Sequence, residues 1–140
     1  MRKGSHSVYD IQYHIVWVTK YRKKILGGAI SRRLREIIRQ TCEKNNIKII
    51  RGNIRKDHIH MLISSPPNIA PSKIIQYIKG RSSKMIQEEY PELREQYWGQ
   101  HLWSIGYYCG TVGTVTEDTI KAYIENQDDE SLEEVFKIES

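Results

Sequence analysis

Two histidines stand two residues apart in the apolar segment "DHIHMLISSPP", residues 57–67. The residues around them, among them Ile59 and Met61, favour a β-strand, and the Ser-Ser-Pro-Pro that follows ends it. In a strand, residues i and i+2 point to the same face, with Cα atoms roughly 6.6 Å apart. His58 and His60 are therefore predicted to project side by side from one surface. They serve there either as ordinary polar residues of a sheet face or as ligands that hold something between them.

A second informative segment, "TIKAYIENQ", covers residues 119–127 near the C-terminus. Its spacing predicts a helix, on which Tyr123 and Gln127 are neighbours on one face because they are four residues apart. A lone tyrosine on an amphipathic helix is more often a packing residue than a nucleophile. The pair gains weight only in combination with the two histidines.

Apolar periodicity predicts the elements that position these side chains. A capping-box pattern, Thr114 with Glu117, opens the last helix. The order β-α-β-β-α-β predicts an α+β, ferredoxin-like fold with an added C-terminal helix that carries the tyrosine. RNA-recognition modules and enzymes share this fold, so the fold alone does not decide the function. Strands are predicted over residues 8–18, 47–56, 57–63 and 102–113, helices over 29–43, 71–90 and 114–127, and a loop over 91–101.

Length and composition favour one intracellular domain. The 140 residues suffice for a core without disulfides. We divide the domain into a core (1–113), a tyrosine helix (114–127) and an acidic tail (128–140). No apolar run approaches the roughly 20 residues of a membrane span, and no signal peptide opens the chain. Cys42 and Cys109 form no CxxC pattern, so we expect small buried residues and a cytoplasmic location.

The charge is strongly polarised along the chain. Residues 1–84 carry 19 Lys and Arg against 4 Asp and Glu, whereas residues 85–140 carry 3 against 13. Aromatic residues alternate with the basic ones in "WVTKYRKK", residues 17–24. Cations can follow a phosphate backbone while rings stack on unpaired bases, so the pattern favours a nucleic-acid partner over an ordinary solvated surface.

Together these motifs resemble the single-tyrosine HUH transposases, small enzymes that move certain bacterial and archaeal insertion sequences as single-stranded DNA. The resemblance runs over nearly the whole chain. It is carried by "HIVWVTKYRKKIL", "DHIHMLI" followed by "PP", "IIQYIKGRSSK", and "GTVG" leading to "YIENQ".

The resemblance implies a role for each matched residue. His58 and His60 match two metal ligands, Tyr123 matches the nucleophile, and Gln127 matches the third ligand. Mg²⁺ or Mn²⁺ is the expected metal, and single-stranded DNA with hairpin ends is the expected substrate. The implied chemistry is metal-assisted cleavage and rejoining through a 5′-phosphotyrosine. Asp57 and His14 receive no catalytic assignment and are expected to play supporting parts.

The resemblance also implies a homodimer in which the tyrosine helix of one subunit completes the histidine site of the other. Gly110 and Gly113 of "GTVG" could let that helix swing away from its own sheet. A tight turn that packs the helix against its own sheet is equally compatible with the sequence. Two other functions remain open. One is a domesticated nuclease that processes palindromes, and the other is a non-catalytic module that binds single-stranded nucleic acid. A closed zinc site is not expected, because no fourth His or Cys has suitable spacing.

Overall fold

The computed structural model describes residues 2–3, 8–96, 101–111 and 117–126. Within these ranges a short 3-10 turn, Lys20–Arg22, follows the third strand. The strands are β1 (Arg2–Lys3), β2 (Val8–Tyr9), β3 (Gln12–Val18), β4 (Lys48–Ile54), β5 (His58–Ser64) and β6 (Tyr108–Thr111). The helices are α1 (Gly28–Lys44), α2 (Pro71–Glu89), α3 (Pro91–Gln96) and α4 (Glu117–Asn126).

The main sheet is antiparallel with the strand order β4-β5-β3-β6. β3 and β5 occupy its centre, and β4 pairs with β5 as an antiparallel hairpin. The first and third strands of the β-α-β-β-α-β unit therefore lie side by side, which is the ferredoxin-like order. The predicted α+β fold class is confirmed. β1 and β2 form a separate two-stranded ribbon.

The two faces of this sheet have different neighbours. Ile59, Met61 and Ile63 of β5 and Ile15 and Trp17 of β3 point into the apolar core. α1 and α2 cover that face with residues at helical spacing, since each helix buries only one stripe of its surface. The apolar residues that these helices bury are Leu34, Ile37, Ile38, Cys42, Ile74, Ile75, Ile78 and Ile86. The opposite face carries the histidines and contacts α4.

The segment that precedes β6 departs from the predicted strand over residues 102–113. Trp103 forms only an isolated bridge with Thr19, and regular pairing starts at Tyr108. Gly106 interrupts the strand with a φ of +91°, a conformation that lies outside the strand region and that glycine adopts readily. The predicted strand is therefore wrong over its first half.

Two further differences concern local structure. Residues 91–96 form α3, not the predicted loop. Pro91 suits a first helical turn, and Glu92 complements the positive end of the helix dipole. Residues 8–18 form two strands, β2 and β3, not one.

The cysteine prediction is confirmed for Cys42, which is buried, and burial raises the pKa of its thiol to about 12. Cys109 is only half-buried. Several predictions concern Thr114, Gln127 and residues 128–140, which lie outside the described residues. In the part of the chain that the structure describes, no helix is both long and apolar enough to cross a membrane.

Candidate active site

His58 and His60 lie on the same face of β5, as their spacing predicts. Both are half-buried, whereas Ile59 between them is buried in the core. The backbone of His58 is opposite Val18 of β3, and that of His60 is opposite Val16. The two imidazoles thus project from the centre of the sheet, where strands on both sides fix the backbone.

Asp57 orients the first of these histidines. Its Oδ1 lies 2.8 Å from Nδ1 of His58. Burial alone would raise the pKa of Asp57, but the hydrogen bonds from His58 and Arg22 outweigh it and hold the pKa below its ordinary value. The ionised carboxylate can only accept, so Nδ1 of His58 donates. Nε2 of His58 is then the nitrogen left for a metal or another donor.

His14 on β3 contacts the second histidine. Its Nδ1 lies 3.0 Å from Nε2 of His60, so one of the two nitrogens donates to the other. Burial lowers the pKa of both imidazoles, and nearby positive charge lowers it further: Arg51 acts on His14, and His14, His58 and Arg51 act on His60. Both rings are therefore neutral at pH 7, the state in which imidazole coordinates metals.

These histidines open into a cleft of about 820 Å³ between the sheet and α4. Cationic groups outnumber carboxylates on its walls, which makes the cleft attractive to phosphate. Its charged walls include Arg22, Arg51, Arg55 and Lys121 against Asp118 and Glu125.

Tyr123 lies on α4, at the side of the helix that faces β6. Its ring is tilted against that of Tyr108, with centroids 6.1 Å apart, and its hydroxyl oxygen is buried. The cleft is lined by a different part of the helix surface: Lys121 and Glu125, each two positions from Tyr123, lie on nearly the opposite side of α4. The structure thus places the tyrosine helix beside the histidines but turns the phenol toward β6. Gln127 lies just beyond the last described residue of α4.

The donor set fits a divalent cation as far as it is described. Among the described residues, no group of three or more His, Cys, Asp and Glu side chains has the arrangement of a metal site. His58 and His60 would supply two imidazole ligands, and the expected third, an amide, falls outside the described ranges. A site built from neutral ligands leaves the full charge of the cation available to a phosphate.

The contacts of two neighbours of the site were not predicted from the sequence, although His14 was expected to play a supporting part. His14 could have been placed on the histidine face from the alternation of β3, because Tyr13, Ile15 and Trp17 point to the other side. Its contact with His60 depends on the strand order and cannot be seen in the sequence. Arg22 appeared only as one of several basic residues, although it binds Asp57 through both Nε and Nη2 at 2.9 Å.

Comparisons with known proteins identify the family of the chain. Residues 7–127 match the family model described as "Transposase IS200 like". The chain is 36% identical to the ISDra2 transposase TnpA of Deinococcus radiodurans over 129 residues, which cover 92% of each chain. It is 37% identical to the transposase for insertion sequence element IS200 of Salmonella typhimurium, over 88% of this chain and 80% of that protein.

Solved structures give the same answer. A crystal structure described as that of a transposase from Deinococcus radiodurans superposes with a TM-score of 0.84 at 31% identity, over 91% of this chain and 98% of that one. A REP-associated tyrosine transposase bound to a REP hairpin shares the fold, with a TM-score of 0.56 at 14% identity, over 85% of this chain and 66% of that one. The family model and these relatives show that this chain belongs to the IS200-like transposases, the single-tyrosine HUH family.

Proposed function

We propose that this transposase cleaves and rejoins single-stranded DNA at hairpin-marked element ends, with Tyr123 as the nucleophile. The observation that carries the proposal is the pair of imidazoles, His58 and His60, each held by a neighbour and both facing a basic cleft beside the tyrosine helix. A solvated polar sheet face needs no such orientation. Family membership supports DNA cleavage as the reaction class.

The chemistry assigned to Tyr123 balances without an external energy source. The phenol loses its proton as its oxygen attacks the phosphorus, the bond from phosphorus to the 3′ oxygen breaks, and the leaving oxygen takes up a proton. The products are a 5′-phosphotyrosine and a free 3′-OH. Because the ester keeps the energy of the broken bond, attack by the 3′-OH of another strand reseals the DNA and releases the tyrosine. This favours strand transfer over hydrolysis.

The charge that develops on the phosphoryl oxygens requires stabilisation. Bound by His58, His60 and Gln127, a divalent cation such as Mg²⁺ or Mn²⁺ would supply it. Asp57 and His14 prepare the ligands, since each fixes one nitrogen of a ligand ring. Arg51 and Arg55 on the cleft wall suit contacts to neighbouring phosphates of the strand.

We further propose that the active enzyme is a homodimer whose sites are completed in trans. In the single chain α4 lies on its own sheet, where the ring of Tyr123 contacts that of Tyr108 and its hydroxyl oxygen is buried. A phosphodiester cannot reach a buried phenol, so the helix must change position before attack. Docking on the sheet of a second subunit is one such position. While it is bound to an element end, the protein would also be found with the nucleoid.

The function is tested by incubating the full chain with labelled single-stranded DNA from the flanking ends of its element, in the presence of Mg²⁺ or Mn²⁺. We expect a covalent protein–DNA adduct on a denaturing gel, and a shorter strand with a free 3′-OH. DNA that is bound in native gels but never becomes attached to the protein would identify a non-catalytic binding module instead.

A further inference from the structure

We infer that Arg22 is a positioning residue that couples the docking of the tyrosine helix to the orientation of His58. Its guanidinium binds two partners that belong to different parts of the site. Nε and Nη2 each lie 2.9 Å from Oδ2 of Asp57, and Nη1 lies 3.3 Å from the backbone carbonyl oxygen of Ile124 on α4. One planar side chain thus touches both the carboxylate that holds a histidine and the helix that carries the nucleophile.

The contact with α4 reaches the backbone of the helix that carries Tyr123. Nη1 of Arg22 donates to the carbonyl oxygen of Ile124, the residue next to the tyrosine. A hydrogen bond from a charged donor is stronger than one between neutral groups, and this one joins residues 102 positions apart in the chain. It therefore ties α4 to the turn that carries Arg22.

The contact with Asp57 extends to the histidine. Oδ2 of Asp57 accepts a hydrogen bond from Arg22, and Oδ1 lies 2.8 Å from Nδ1 of His58. The two oxygens of one carboxylate thus bind different partners. Fixing the plane of the carboxylate through Oδ2 also fixes the direction in which Oδ1 accepts. A change at Arg22 is therefore transmitted to the imidazole of His58.

The backbone shows that Arg22 is held in place against a conformational cost. Tyr21 and Arg22 have φ values of 59° and 50°, the left-handed region that residues other than glycine rarely adopt. Such residues persist when surrounding contacts determine their conformation. Two backbone hydrogen bonds of 2.9 Å do so here: Thr19 donates to the carbonyl of Asp57, and Leu26 donates to that of Lys56. The turn is thereby fixed to the residues that precede β5.

The inference concerns the site of the proposed function and rests on that function for the role of α4 as the helix that carries the nucleophile. The coupling itself can be measured without DNA. The probes are amide hydrogen exchange of α4 and the imidazole ¹⁵N signals of His58, recorded on the full metal-free chain. The variants are Arg22→Ala, Arg22→Lys and Asp57→Asn. Arg33→Ala is the matched control, because Arg33 makes a similar two-atom pair with Glu89 between α1 and α2.

With coupling, Arg22→Ala accelerates exchange in α4 by roughly two- to tenfold, the range expected for the loss of one hydrogen bond. It also shifts the His58 signals away from those of a ring protonated at Nδ1. Asp57→Asn accelerates exchange in α4 as well, because Arg22 loses its anchor. Arg22→Lys keeps the charge but not the guanidinium, so its exchange rates and His58 signals fall between those of wild type and Arg22→Ala. Arg33→Ala leaves both probes unchanged.

Two results would overturn the inference. In the first, Arg22→Ala accelerates exchange in α4 while Asp57→Asn does not and the His58 signals stay in place, which would make Arg22 a contact of α4 only. In the second, no variant changes α4. Should Arg22→Ala fail to fold, Arg22→Lys and Asp57→Asn still decide the question. A wild-type chain that forms no DNA adduct would contradict the proposed function. The measurements of exchange in α4 and of the His58 signals would still test the coupling.

Discussion

The rings of Tyr108 and Tyr123 lie 6.1 Å apart, tilted by 53°, where α4 meets β6. Two phenols are thus close to the histidine face. Tyr108 belongs to the sheet and pairs opposite Val16, whereas Tyr123 belongs to α4 and moves with it. Substituting each of the two tyrosines by phenylalanine therefore gives two matched variants that identify the nucleophile.

Tyr123→Phe is expected to bind hairpin DNA as well as wild type but to form no covalent adduct, because only the phenolic oxygen is removed. Tyr108→Phe removes the same atom from the neighbouring ring and should retain the adduct. Both variants are compared on denaturing gels, with binding measured separately by native gels. An adduct that survives in Tyr123→Phe and is lost in Tyr108→Phe would assign the nucleophile to the sheet instead.

The His58→Ala/His60→Ala variant is expected to lose metal-dependent cleavage while keeping most of its affinity for the hairpin. The imidazoles are assigned to the cation, whereas the basic residues contact the phosphates. Chelation of the metal from wild type should have the same effect on cleavage. His101→Ala is the control, since His101 is exposed and lies outside the cleft. Equal cleavage with and without chelator would contradict the metal assignment.

Stability should fall as the pH is lowered from about 7 to 5. The pKa of His14 and His60 lies below the ordinary value of 6.5 in the folded chain, chiefly because of burial. The unfolded chain therefore takes up protons first, and this contribution to stability, complete above pH 6.5, is lost as the pH falls through the folded pKa. Urea unfolding at several pH values measures the slope. A His14→Gln/His60→Gln variant should show a smaller slope, and an unchanged slope would place its origin elsewhere.

The shared face of His58 and His60 follows from the twofold period of a strand, and it was predictable from four residues of sequence. The partners of those rings were not, because they depend on which strands are neighbours. His14 is 46 positions away from His60 along the chain and reaches it only through the central position of β3 in the sheet. Asp57 was visible beside His58, but its charge pair with Arg22 depends on the left-handed turn at Tyr21 and Arg22.

Local patterns also explain the errors in the predicted elements. The segment from Leu102 to Gly113 is rich in strand-forming residues, yet the positive φ of Gly106 divides it. The sequence does not show whether a glycine inside such a segment keeps an extended conformation or turns. Pro91 and Glu92 favour a helix start, but six residues are too few for a clear helical period.

DNA binding is expected to weaken steeply with salt, because Lys and Arg release counterions from the phosphates. Arg51→Ala, on the cleft wall, should reduce the slope of log K against log salt by about one. Arg33→Ala should leave the slope unchanged, since that guanidinium is committed to Glu89. Titrations between low and high salt give both slopes. An affinity that is flat with salt would exclude the basic cleft as the DNA site.

Mixed dimers distinguish sites completed in trans from sites completed within one chain. A His58→Ala/His60→Ala chain and a Tyr123→Phe chain are each expected to be inactive. With sites in trans, the histidines of the second chain meet the tyrosine of the first, so one of the two sites in a heterodimer is intact and the adduct returns. With sites in cis, every site carries a defect. The buried position of the Tyr123 hydroxyl on its own sheet leads us to expect recovery. Heterodimers purified with two different affinity tags that form no adduct would establish the cis arrangement.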